Sequence, residues 1–594
     1  MNLNLEHRSF CNKDNEKWIY FGNSYLKLFR LEEKIKKNRL SISRQTSINY
    51  SNEKKYFIDW LEKQRVYFDD SIDWWMNSFA SKTNLTSNFL LNISSIKSIK
   101  EYLKNNKEKS KITIVSENYH LLKFLVKNLE KDYKIKTPKF FSFFLLLEKI
   151  LLIFNGFINY LKIIYYFIIN YFYSLLSKTS QKHLPESEVY LFHDLINNSN
   201  FKNGIVQSRY YGNYSSWLEN QGKQVISLPW FYQNIKNKKK LYKSLRERKS
   251  FIPEDWLNLS DYFRCIYRSL KSNFTIHEKI NYTGCNIQPL ISYYKLLGLT
   301  TTRSAIYYRY FPAVKKWSKK VNKIIFFDHY QNQMYENSAR YCINSLSEKS
   351  IKSIGYYHSL HSNEFLPYLT NYKEWKSKVK PDTIICPNEL CKNHLEFLGT
   401  PKEKIKIISD LQRSELKIKE TNKNEKQLLV ILSLFPEVNY EILFKLSKIN
   451  SFISNELGIK IKLRPHPYIN INELIDNLGW KYLPKNWIIS EENLETDLNN
   501  CYCAITMNSA IITDLILFDC IAIILKSELN TGENYLDFIE KKFPIINNTE
   551  EKNLKSKLQE VFLTKKNYFK EEFSNIKKFI ESDINKNNYH KIAE

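Results

Sequence analysis

The sequence predicts an α/β protein in which two Rossmann-like domains face each other across a cleft, with an apolar helical hairpin inserted in the N-terminal half. Three observations support this fold class. Short β-branched runs alternate with amphipathic helical patterns, which is typical of parallel sheets covered by helices. One complete set of these units begins near residue 426, and another set precedes it. The chain has 594 residues, which is too many for one compact core.

The composition is that of a folded globular protein. Hydrophobic residues make up 43% of the chain, and there are only 12 glycines and 15 prolines, which argues against a disordered or fibrous class. The 90 Lys and Arg residues outnumber the 62 Asp and Glu residues and give a net charge of +28. This charge is spread along the chain, and its densest run, at 236–249, is typical of a solvated helix face. We therefore expect no nucleic-acid partner and favour an anionic membrane surface.

The nine cysteines lack the paired spacing of zinc sites and of disulfide frameworks. Cys501 and Cys503 share one face of a predicted strand, where buried free thiols are the ordinary interpretation. The first residues of the chain are polar and lack the apolar core of a secretory signal. We expect a reducing, cytoplasmic environment and no bound metal.

Residues 1–135 are expected to form an N-terminal α/β region. The segment 111–131 begins with a β-branched run and continues with apolar residues at helical spacing, which predicts one β-α unit. The aromatic-rich stretch ahead of it has a mostly helical pattern.

The segment 140–178 is nearly all apolar or aromatic, interrupted by Glu148, Lys149 and Lys162. A helix that spans a bilayer needs about 20 apolar residues, and the uncharged runs here are shorter. Abundant Tyr, Phe and Asn favour a helical hairpin over 136–180 that lies in the membrane interface. A pair of buried core helices is the main alternative, and a true span is the least favoured.

Residues 181–420 are expected to complete the first Rossmann-like domain. Three runs, at 187–195, 223–231 and 322–330, have the composition of central strands bounded by polar turns. Longer helical patterns separate them, so the strands are expected to pair in parallel.

Residues 421–550 are expected to form the second Rossmann-like domain, followed by amphipathic helices over 551–594. Ligands of such sheets bind at the carboxyl ends of the strands. The strand-like runs of this domain are QLLVILSLFP, IKIKLRPHP, NWIIS, CYCAIT and IAIILK.

The stretch KLRPHPYIN at 462–470 ends one of these strands with Arg464 and His466 beside two prolines. Proline fixes φ and withholds an N–H group, so the prolines stop the strand and hold the imidazole in place. Arg464 and His466 can then donate hydrogen bonds to one anionic group, and a phosphate or diphosphate fits best. A histidine that only caps the strand is the alternative.

A second candidate contact lies in AITMNSAIITDLI at 504–516, where a strand runs into a helix through Asn508 and Ser509. Free N–H groups at a helix start form an anion site, although these two residues alone could be a simple cap. Their place at a strand end, like that of RPHP, favours one shared phosphate site. The chain has no Walker A loop, no G-x-G-x-x-G and no serine-hydrolase elbow, which leaves transfer from a sugar nucleotide.

The order of RPHP, NWII and CYCAITMNSAIITDLI resembles the donor-binding half of GT-B glycosyltransferases of surface polysaccharide synthesis. The similar enzymes are sialyltransferase-like, Kdo-transferase-like and CDP-glycerol transferase-like. The resemblance implies that His466 and Arg464 contact the phosphate of a cytidine-linked donor and stabilise the leaving nucleotide. Asn508 and Ser509 would bind the same phosphate, although the family usually has two hydroxyl residues where this chain has Asn508, Ser509 and Ala510.

The middle of the chain resembles bacterial surface carbohydrate biosynthesis proteins found with O-antigen and nonulosonic acid genes. The resemblance rests on DHYQNQMYENSARY at 328–341 and SIGYYHSLHSNEFLPYL at 353–369. Gln331 replaces the first acid of the family segment and Tyr335 replaces its tryptophan. The positions that match are Glu336, Gly355, His358 and Ser359.

Glycosyl transfer with inversion needs a base for the acceptor hydroxyl and groups that stabilise the departing phosphate. Glu336, His358 and Asp328 are the candidate bases, because each follows a predicted strand, and Asp194 is a weaker candidate. Alternatively, His358 is a satisfied histidine in a tyrosine-rich pocket, and Glu336 is an acid at a helix N-terminus. The absence of D-x-D at a strand end predicts that the reaction needs no metal.

Together these features predict a metal-independent inverting glycosyltransferase of lipopolysaccharide O-antigen or capsule synthesis, peripheral to the inner face of the plasma membrane. The expected donor is a CMP-linked sugar such as a nonulosonic acid, the acceptor is lipid-linked or a glycan, and no further cofactor is expected. A transferase of polyol phosphate from a CDP-linked donor is an alternative. A non-catalytic scaffold that binds nucleotides or polysaccharide is another.

Overall fold

The computed structural model describes most of the chain. Cys11, most of the polar N-terminal segment and part of the basic run at 236–249 lie outside the described residues. The described residues are 2–7, 17–35, 38–68, 71–82, 87–106, 112–177, 188–197, 201–202, 205–206, 208, 210–231, 235, 237–274, 282, 284–347, 349–408, 410–411, 423–537, 546–563, 570–580 and 589–593.

The strands fall into three parallel sheets and one small antiparallel pair. In chain order they are β1 (Asn2–His7), β2 (Lys17–Phe21), β3 (Ile112–Ser116), β4 (Lys134–Lys136), β5 (Glu188–Ile196), β6 (Phe201–Lys202), β7 (Ile205–Val206), β8 (Val225–Phe231), β9 (Lys323–His329), β10 (Ser350–Tyr356), β11 (Thr383–Cys386), β12 (Ile405–Ile407), β13 (Asn424–Ile431), β14 (Lys460–Arg464), β15 (Trp487–Ile489), β16 (Cys501–Thr506), β17 (Ile521–Leu525) and β18 (Ile546–Thr549).

Helices connect and cover these strands. The α-helices are α1 (Tyr25–Ile35), α2 (Ser43–Val66), α3 (Ile72–Trp75), α4 (Phe89–Asn105), α5 (Tyr119–Leu129), α6 (Phe141–Leu176), α7 (Tyr214–Asn220), α8 (Lys238–Glu247), α9 (Leu259–Phe274), α10 (Gln288–Thr301), α11 (Ser304–Tyr308), α12 (Tyr310–Trp317), α13 (Met334–Asn344), α14 (Glu389–Phe397), α15 (Pro436–Lys448), α16 (Ile471–Asn477), α17 (Leu494–Asn500), α18 (Ile512–Leu517), α19 (Leu554–Leu563), α20 (Lys570–Ile580) and α21 (His590–Ala593). Short 3₁₀ helices cover Pro253–Trp256, Ser318–Lys320, Leu366–Tyr368, Tyr372–Lys376, Lys402–Lys404 and Glu551–Asn553, and a π-helix covers Phe452–Glu456.

The C-terminal sheet has the order β15-β14-β13-β16-β17-β18, with every neighbouring pair parallel. Counted from β13, this is the 3-2-1-4-5-6 order of dinucleotide-binding sheets, and the order reverses between β13 and β16. β16 is buried at all six positions because helices cover both faces of the sheet. The predicted second Rossmann-like domain is confirmed.

The middle sheet has the order β12-β11-β10-β9-β5-β8 and is also parallel throughout. Its order reverses between β5 and β9, the point at which a ligand crevice is expected. The three strands predicted from 187–195, 223–231 and 322–330 are β5, β8 and β9. The α/β class and the first Rossmann-like domain are therefore confirmed.

The N-terminal region contains a four-stranded parallel sheet of its own, with the order β2-β3-β1-β4. The predicted unit at 111–131 is β3 followed by α5. Helix α1 leaves this region and packs against α15 of the C-terminal domain, where the Phe29 and Phe444 ring centroids are 4.0 Å apart. Glu437 accepts a hydrogen bond from the Ser24 hydroxyl at 3.0 Å. Helix α1 and the turn before it thus pack against the C-terminal domain.

The predicted helical hairpin is wrong, because 141–176 form one continuous helix, α6, of 36 residues. Gly156 lies in its middle, and a Cβ atom there would be 2.8 Å from the Leu299 Cβ of α10. Glycine costs about 1 kcal/mol in a helix interior. Here its missing side chain lets two helices approach closely, so the position that weakens the helix also fixes its packing.

Candidate functional site

The carboxyl edges of the middle and C-terminal sheets face each other. Asn197, which directly follows β5, donates a hydrogen bond from Nδ2 to the hydroxyl of Tyr468, in the loop after β14. On the other side, the rings of His361 and Tyr535 stack with their centroids 5.5 Å apart. These contacts join loops at the two edges, so the predicted cleft is confirmed, and two facing Rossmann-like domains are the GT-B type of arrangement.

His466 lies half-buried in the turn that follows β14. Its Nδ1 accepts a hydrogen bond from the backbone N–H of Tyr468 at 3.2 Å. A neutral imidazole that accepts through Nδ1 carries its proton on Nε2. In that form, Nε2–H is the hydrogen-bond donor of the His466 ring.

Arg464 is held beside the strand by a carboxylate. Its Nη1 donates to Asp497 Oδ2 at 2.5 Å and to the Glu492 carbonyl oxygen at 2.9 Å, and Lys462 Nζ lies 2.7 Å from Asp497 Oδ1. Burial alone would raise the pKa of Asp497, but the hydrogen bonds from Lys462, Ser490 and Arg464 lower it. The guanidinium thus has a built-in anionic partner, and its contact with a donor phosphate stays a prediction.

The chain does run from β16 into a helix through Asn508 and Ser509, but the helix, α18, begins only at Ile512 and has six residues. Asn508 adopts a left-handed conformation with φ of 59°, which asparagine tolerates better than most residues. Its N–H donates to the Glu533 carbonyl oxygen at 2.9 Å, and Ser509 Oγ accepts from the Ile511 N–H at 3.4 Å. The backbone N–H of Asn508 therefore already donates a hydrogen bond and is not one of a set of free donors at a helix start.

Asn508 and His466 nevertheless lie at the same edge of the C-terminal sheet. They follow β16 and β14, which flank β13, so two strand spacings of about 4.8 Å separate their strands. Ser433, after β13, donates from its hydroxyl to the Asn508 carbonyl oxygen at 3.4 Å. Their shared role as phosphate ligands, with Ser509, stays a prediction.

A cavity of about 990 Å³ opens at the carboxyl end of β17, between the loop that follows it and the start of α2. Its lining includes Ser41, Lys526, Glu533 and Asn534. Asn534 is 3% exposed, and its Nδ2 has no hydrogen-bond partner among the described residues. Ligand pockets have volumes of about 300–1,000 Å³. The bond from the Asn508 N–H to Glu533 joins this cavity to the loop after β16.

The middle sheet contributes a buried group of titratable side chains at the end of β9. His329 Nε2 lies 3.0 Å from the Tyr335 hydroxyl and 3.3 Å from Glu336 Oε1. Glu336 Oε2 accepts hydrogen bonds from the N–H groups of Gln331 at 2.8 Å and Gln333 at 3.2 Å, which caps the start of α13. Glu336 is therefore the helix N-terminal acid of the alternative interpretation and also a partner of His329.

The two carboxyl groups of this cluster have different surroundings. Asp328 accepts from Arg340 Nη2 at 2.5 Å, and both side chains are fully buried. Burial raises the pKa of Asp328 against the opposing pull of the Arg340 guanidinium. Burial and the neighbouring Asp328 carboxylate raise the pKa of Glu336, and Arg340 and the two capping amides only partly offset this. Asp328 is the counter-ion of a buried arginine, which fits a structural role better than that of a base.

His358 lies at the rim of this cluster, directly beyond β10. It is half-buried, whereas Asp328, His329 and Glu336 are fully buried. Its ring centroid is 4.7 Å from that of Tyr210 and 6.4 Å from that of His329. A tyrosine does lie against it, as the alternative interpretation expects, but His358 is the candidate base that solvent reaches.

Asp194 lies inside the middle domain on β5. Its carboxylate accepts hydrogen bonds from the hydroxyls of Ser227 at 2.6 Å and Ser208 at 3.0 Å. Asp194 is 2% exposed, so it is buried like Asp328 and Glu336, whereas His358 is half-buried.

Sequence reasoning missed four residues that shape the site: His329, Asn197, Tyr468 and Asp497. His329 could have been found, because it lies at the carboxyl end of the strand predicted over 322–330, where ligands bind in such sheets. Asn197, Tyr468 and Asp497 could not, because their partners are distant in sequence. In the part of the chain that the structure describes, no group of three or more His, Cys, Asp or Glu residues is placed to hold a metal ion.

No protein-family model matches the chain, and no curated protein matches it. Solved structures that it resembles include a UDP-GlcNAc 2-epimerase of Methanocaldococcus jannaschii in complex with UDP-GlcNAc and UDP, at 13% identity and a TM-score of 0.37 over 66% of this chain and 99% of that chain. The glycotransferase of kitacinnamycin resembles it at 7% identity and a TM-score of 0.38 over 67% and 96%. The wall teichoic acid polymerase TagF, soaked with CDPG, resembles it at 12% identity and a TM-score of 0.32 over 72% and 93%. Likenesses at this level carry no argument about activity, and the fold assignment rests on the strand order of the two facing sheets.

Proposed function

We propose that this chain is a GT-B glycosyltransferase of bacterial surface polysaccharide synthesis that transfers a sugar from a cytidine nucleotide donor. The observation that carries the proposal is the Nε2–H donor of His466 at one sheet edge, opposite the titratable cluster of His358, His329 and Glu336 at the facing edge. A leaving-group stabiliser on one domain and a base on the other are what transfer across a cleft needs.

The C-terminal domain, residues 421–550, binds the donor in this proposal. His466 donates from Nε2 to the donor phosphate, and Ser509 and Asn508 contribute polar contacts from the neighbouring loop. Arg464 acts mainly as a positioning residue, because Asp497 holds its guanidinium beside β14.

The middle domain, residues 181–420, binds the acceptor. His358 removes the proton of the acceptor hydroxyl as its oxygen attacks the anomeric carbon, and the bond from that carbon to the donor phosphate oxygen breaks. The phosphate leaves with the bonding electron pair, and the configuration at the anomeric carbon inverts. Glu336 is a positioning residue that holds His329, and no step requires a metal. The acceptor is a glycan or is lipid-linked, at the inner face of the plasma membrane, in O-antigen or capsule assembly.

Nucleotide-linked compounds are expected to raise the melting temperature of the full chain, because a ligand that binds only the native state stabilises it. A thermal-shift screen should compare CMP-, CDP-, UDP- and GDP-linked compounds at equal concentrations. CMP-linked sugars, among them a nonulosonic acid donor, are expected to give the largest shift. A larger shift with CDP-polyols would indicate that the transferred group is a polyol phosphate and not a sugar. If no nucleotide-linked compound gave a shift, the proposed donor site would be wrong.

Replacing His358 with alanine is expected to lower kcat by about 10²-fold, since a positioned base contributes at least that much. The donor KM should change little, because His358 lies on the acceptor domain. The reaction is followed as nucleotide release from the donor that stabilises the chain most in the screen. His590→Ala, a change of an exposed histidine in α21, is the control. If Glu336→Gln lowered kcat without changing the stability of the chain while His358→Ala left kcat unchanged, Glu336 and not His358 would be the base.

A further inference from the structure

Helix α6 exposes an unusually large apolar surface. Only 6% of its most apolar window of 18 residues is buried, and the mean hydropathy of that window is 1.9. Phe143, Phe157 and Tyr165 are each at least 60% exposed. Soluble proteins rarely leave a contiguous apolar surface of this extent uncovered.

A second helix, α9, continues this surface. It exposes Leu259, Phe263, Tyr267, Leu270 and Phe274, which lie within a narrow stripe at helical spacing. The side of α9 that faces the protein carries Tyr262 and Cys265 in its first half and the small polar residues Ser269, Ser272 and Asn273 in its second half, all buried. A soluble surface helix normally turns its apolar stripe inward, so the outward stripe of α9 departs from that pattern.

The two helices are packed against each other in antiparallel directions. The Tyr160 hydroxyl of α6 lies 2.9 Å from the Ser269 hydroxyl of α9. Further along α6, the ring centroids of Phe167 and Tyr262 are 4.9 Å apart. The antiparallel partner expected for the apolar segment therefore exists, but another part of the chain supplies it.

Helix α6 lies flat against the protein along most of its length. Glu148 accepts from the Tyr119 N–H at 2.8 Å, Asn159 Nδ2 donates to the Leu299 carbonyl oxygen at 2.9 Å, and the Ser174 hydroxyl donates to Asp255 at 2.7 Å. At 1.5 Å per residue, these anchors extend over about 39 Å. The helix is long enough to cross a bilayer, but a span would require these contacts to break.

Basic residues surround the apolar surface. Arg264 and Lys271 are exposed beside the stripe of α9, and Lys162 is exposed on α6. Helix α8, whose exposed residues include Lys239 and Lys243, packs against α6 through the bond of Lys238 Nζ to Asn170 at 3.0 Å. A second copy of the chain would place these like charges opposite each other, whereas an anionic lipid surface would complement them.

We infer that the outward faces of α6 and α9 form one membrane platform, which inserts in the plane of a single leaflet of an anionic bilayer. The apolar rings enter the boundary between headgroups and acyl chains, and the flanking Lys and Arg heads reach the lipid phosphates. The inference does not depend on the transferase proposal, because vesicle binding needs no donor.

Sedimentation of the full chain with vesicles tests the platform. Vesicles of phosphatidylcholine with phosphatidylglycerol are expected to bind the chain more tightly than vesicles of pure phosphatidylcholine. The double change Phe263→Ser and Tyr267→Ser on α9 is expected to weaken binding by about tenfold or more, because two exposed aromatic side chains that insertion would bury in the leaflet are lost. The matched control is Tyr372→Ser with Tyr482→Ser, two exposed tyrosines outside both helices.

Insertion depth separates an in-plane platform from a span. Phe263→Trp and Phe157→Trp variants are compared with the unchanged chain for quenching by lipids brominated at shallow or deep acyl positions. Shallow quenching is expected for both. Deep quenching at Phe157→Trp would instead indicate a span and overturn the in-plane platform. Absence of vesicle binding, unchanged binding of the α9 variant, or a dimer in solution that the α9 changes dissociate would also overturn it.

Discussion

Replacing His466 with alanine is expected to lower kcat by about 10²–10³-fold, the loss typical of removing one donor that stabilises a developing negative charge. The charge forms on the donor phosphate as the bond to the sugar breaks. The contact strengthens as this charge develops, so kcat should fall while the donor-induced thermal shift is largely kept. Both are measured with the nucleotide-linked compound that stabilises the chain most.

Two further replacements test which nitrogen acts. Because Nδ1 accepts the Tyr468 N–H, the proposed donor is Nε2–H. The amide nitrogen of glutamine reaches approximately the position of Nε2, whereas that of asparagine lies near Nδ1. His466→Gln is therefore expected to keep more activity than His466→Asn, with His590→Ala as the unaffected control.

The opposite order would contradict the tautomer inferred for His466. Equal and complete loss in both variants, together with loss of the donor-induced thermal shift, would mean that His466 holds the loop rather than the phosphate. A chain that binds nucleotides and shows wild-type turnover after His466→Ala would remove the leaving-group role altogether.

The C-terminal sheet was predictable from sequence because nearly all of its signals are local. Helices cover both faces of β16 and β17, so these strands read as continuous apolar runs. The strand order was also within reach, since parallel strands joined by helices favour a doubly wound sheet. The hairpin error has a different origin, because Lys149 and Lys162 divide the apolar segment into short uncharged runs, whereas α6 continues through both lysines as one helix.

The candidate site was predictable only where strand ends reveal it. His466, Glu336 and His358 all follow strands, and the structure brings them to facing edges of two sheets. The partners of these groups were beyond sequence reasoning. Asp497 forms an ion pair with Arg464, 33 residues away in the sequence, and no pattern in the sequence indicates that pairing.

Removing the carboxylate of Glu374 is expected to have the largest effect on stability. Glu374 lies between two buried lysines, with Oε2 at 2.8 Å from Lys82 Nζ and Oε1 at 2.9 Å from Lys380 Nζ. These contacts join the N-terminal helical region to the middle domain. Glu374→Gln leaves two buried ammonium groups without a counter-ion, and breaking such a group costs about 3–5 kcal/mol. The measurement is the apparent free energy of the first unfolding transition in urea at neutral pH.

The same residue predicts a dependence of stability on pH. Burial alone would raise the pKa of Glu374, but the Lys380 and Lys82 ammonium groups lower it to about 2. An acid whose pKa is depressed in the folded state contributes stability that is complete above its unfolded pKa and is lost as the pH falls through the folded one. The unfolding free energy of the wild-type chain should therefore fall between about pH 4.5 and pH 2, and Glu374→Gln should lack this part of the fall.

Glu389→Gln is the matched control, because Glu389 pairs with Lys392 at the surface, where such pairs contribute about 0–1 kcal/mol. The two glutamates differ in burial: both pair with lysines, but only Glu374 does so in the protein interior. If both variants lost equally little, the buried lysines would be finding water or releasing their protons at low cost. The N-terminal region would then be held to the middle domain by apolar packing rather than by the three charges.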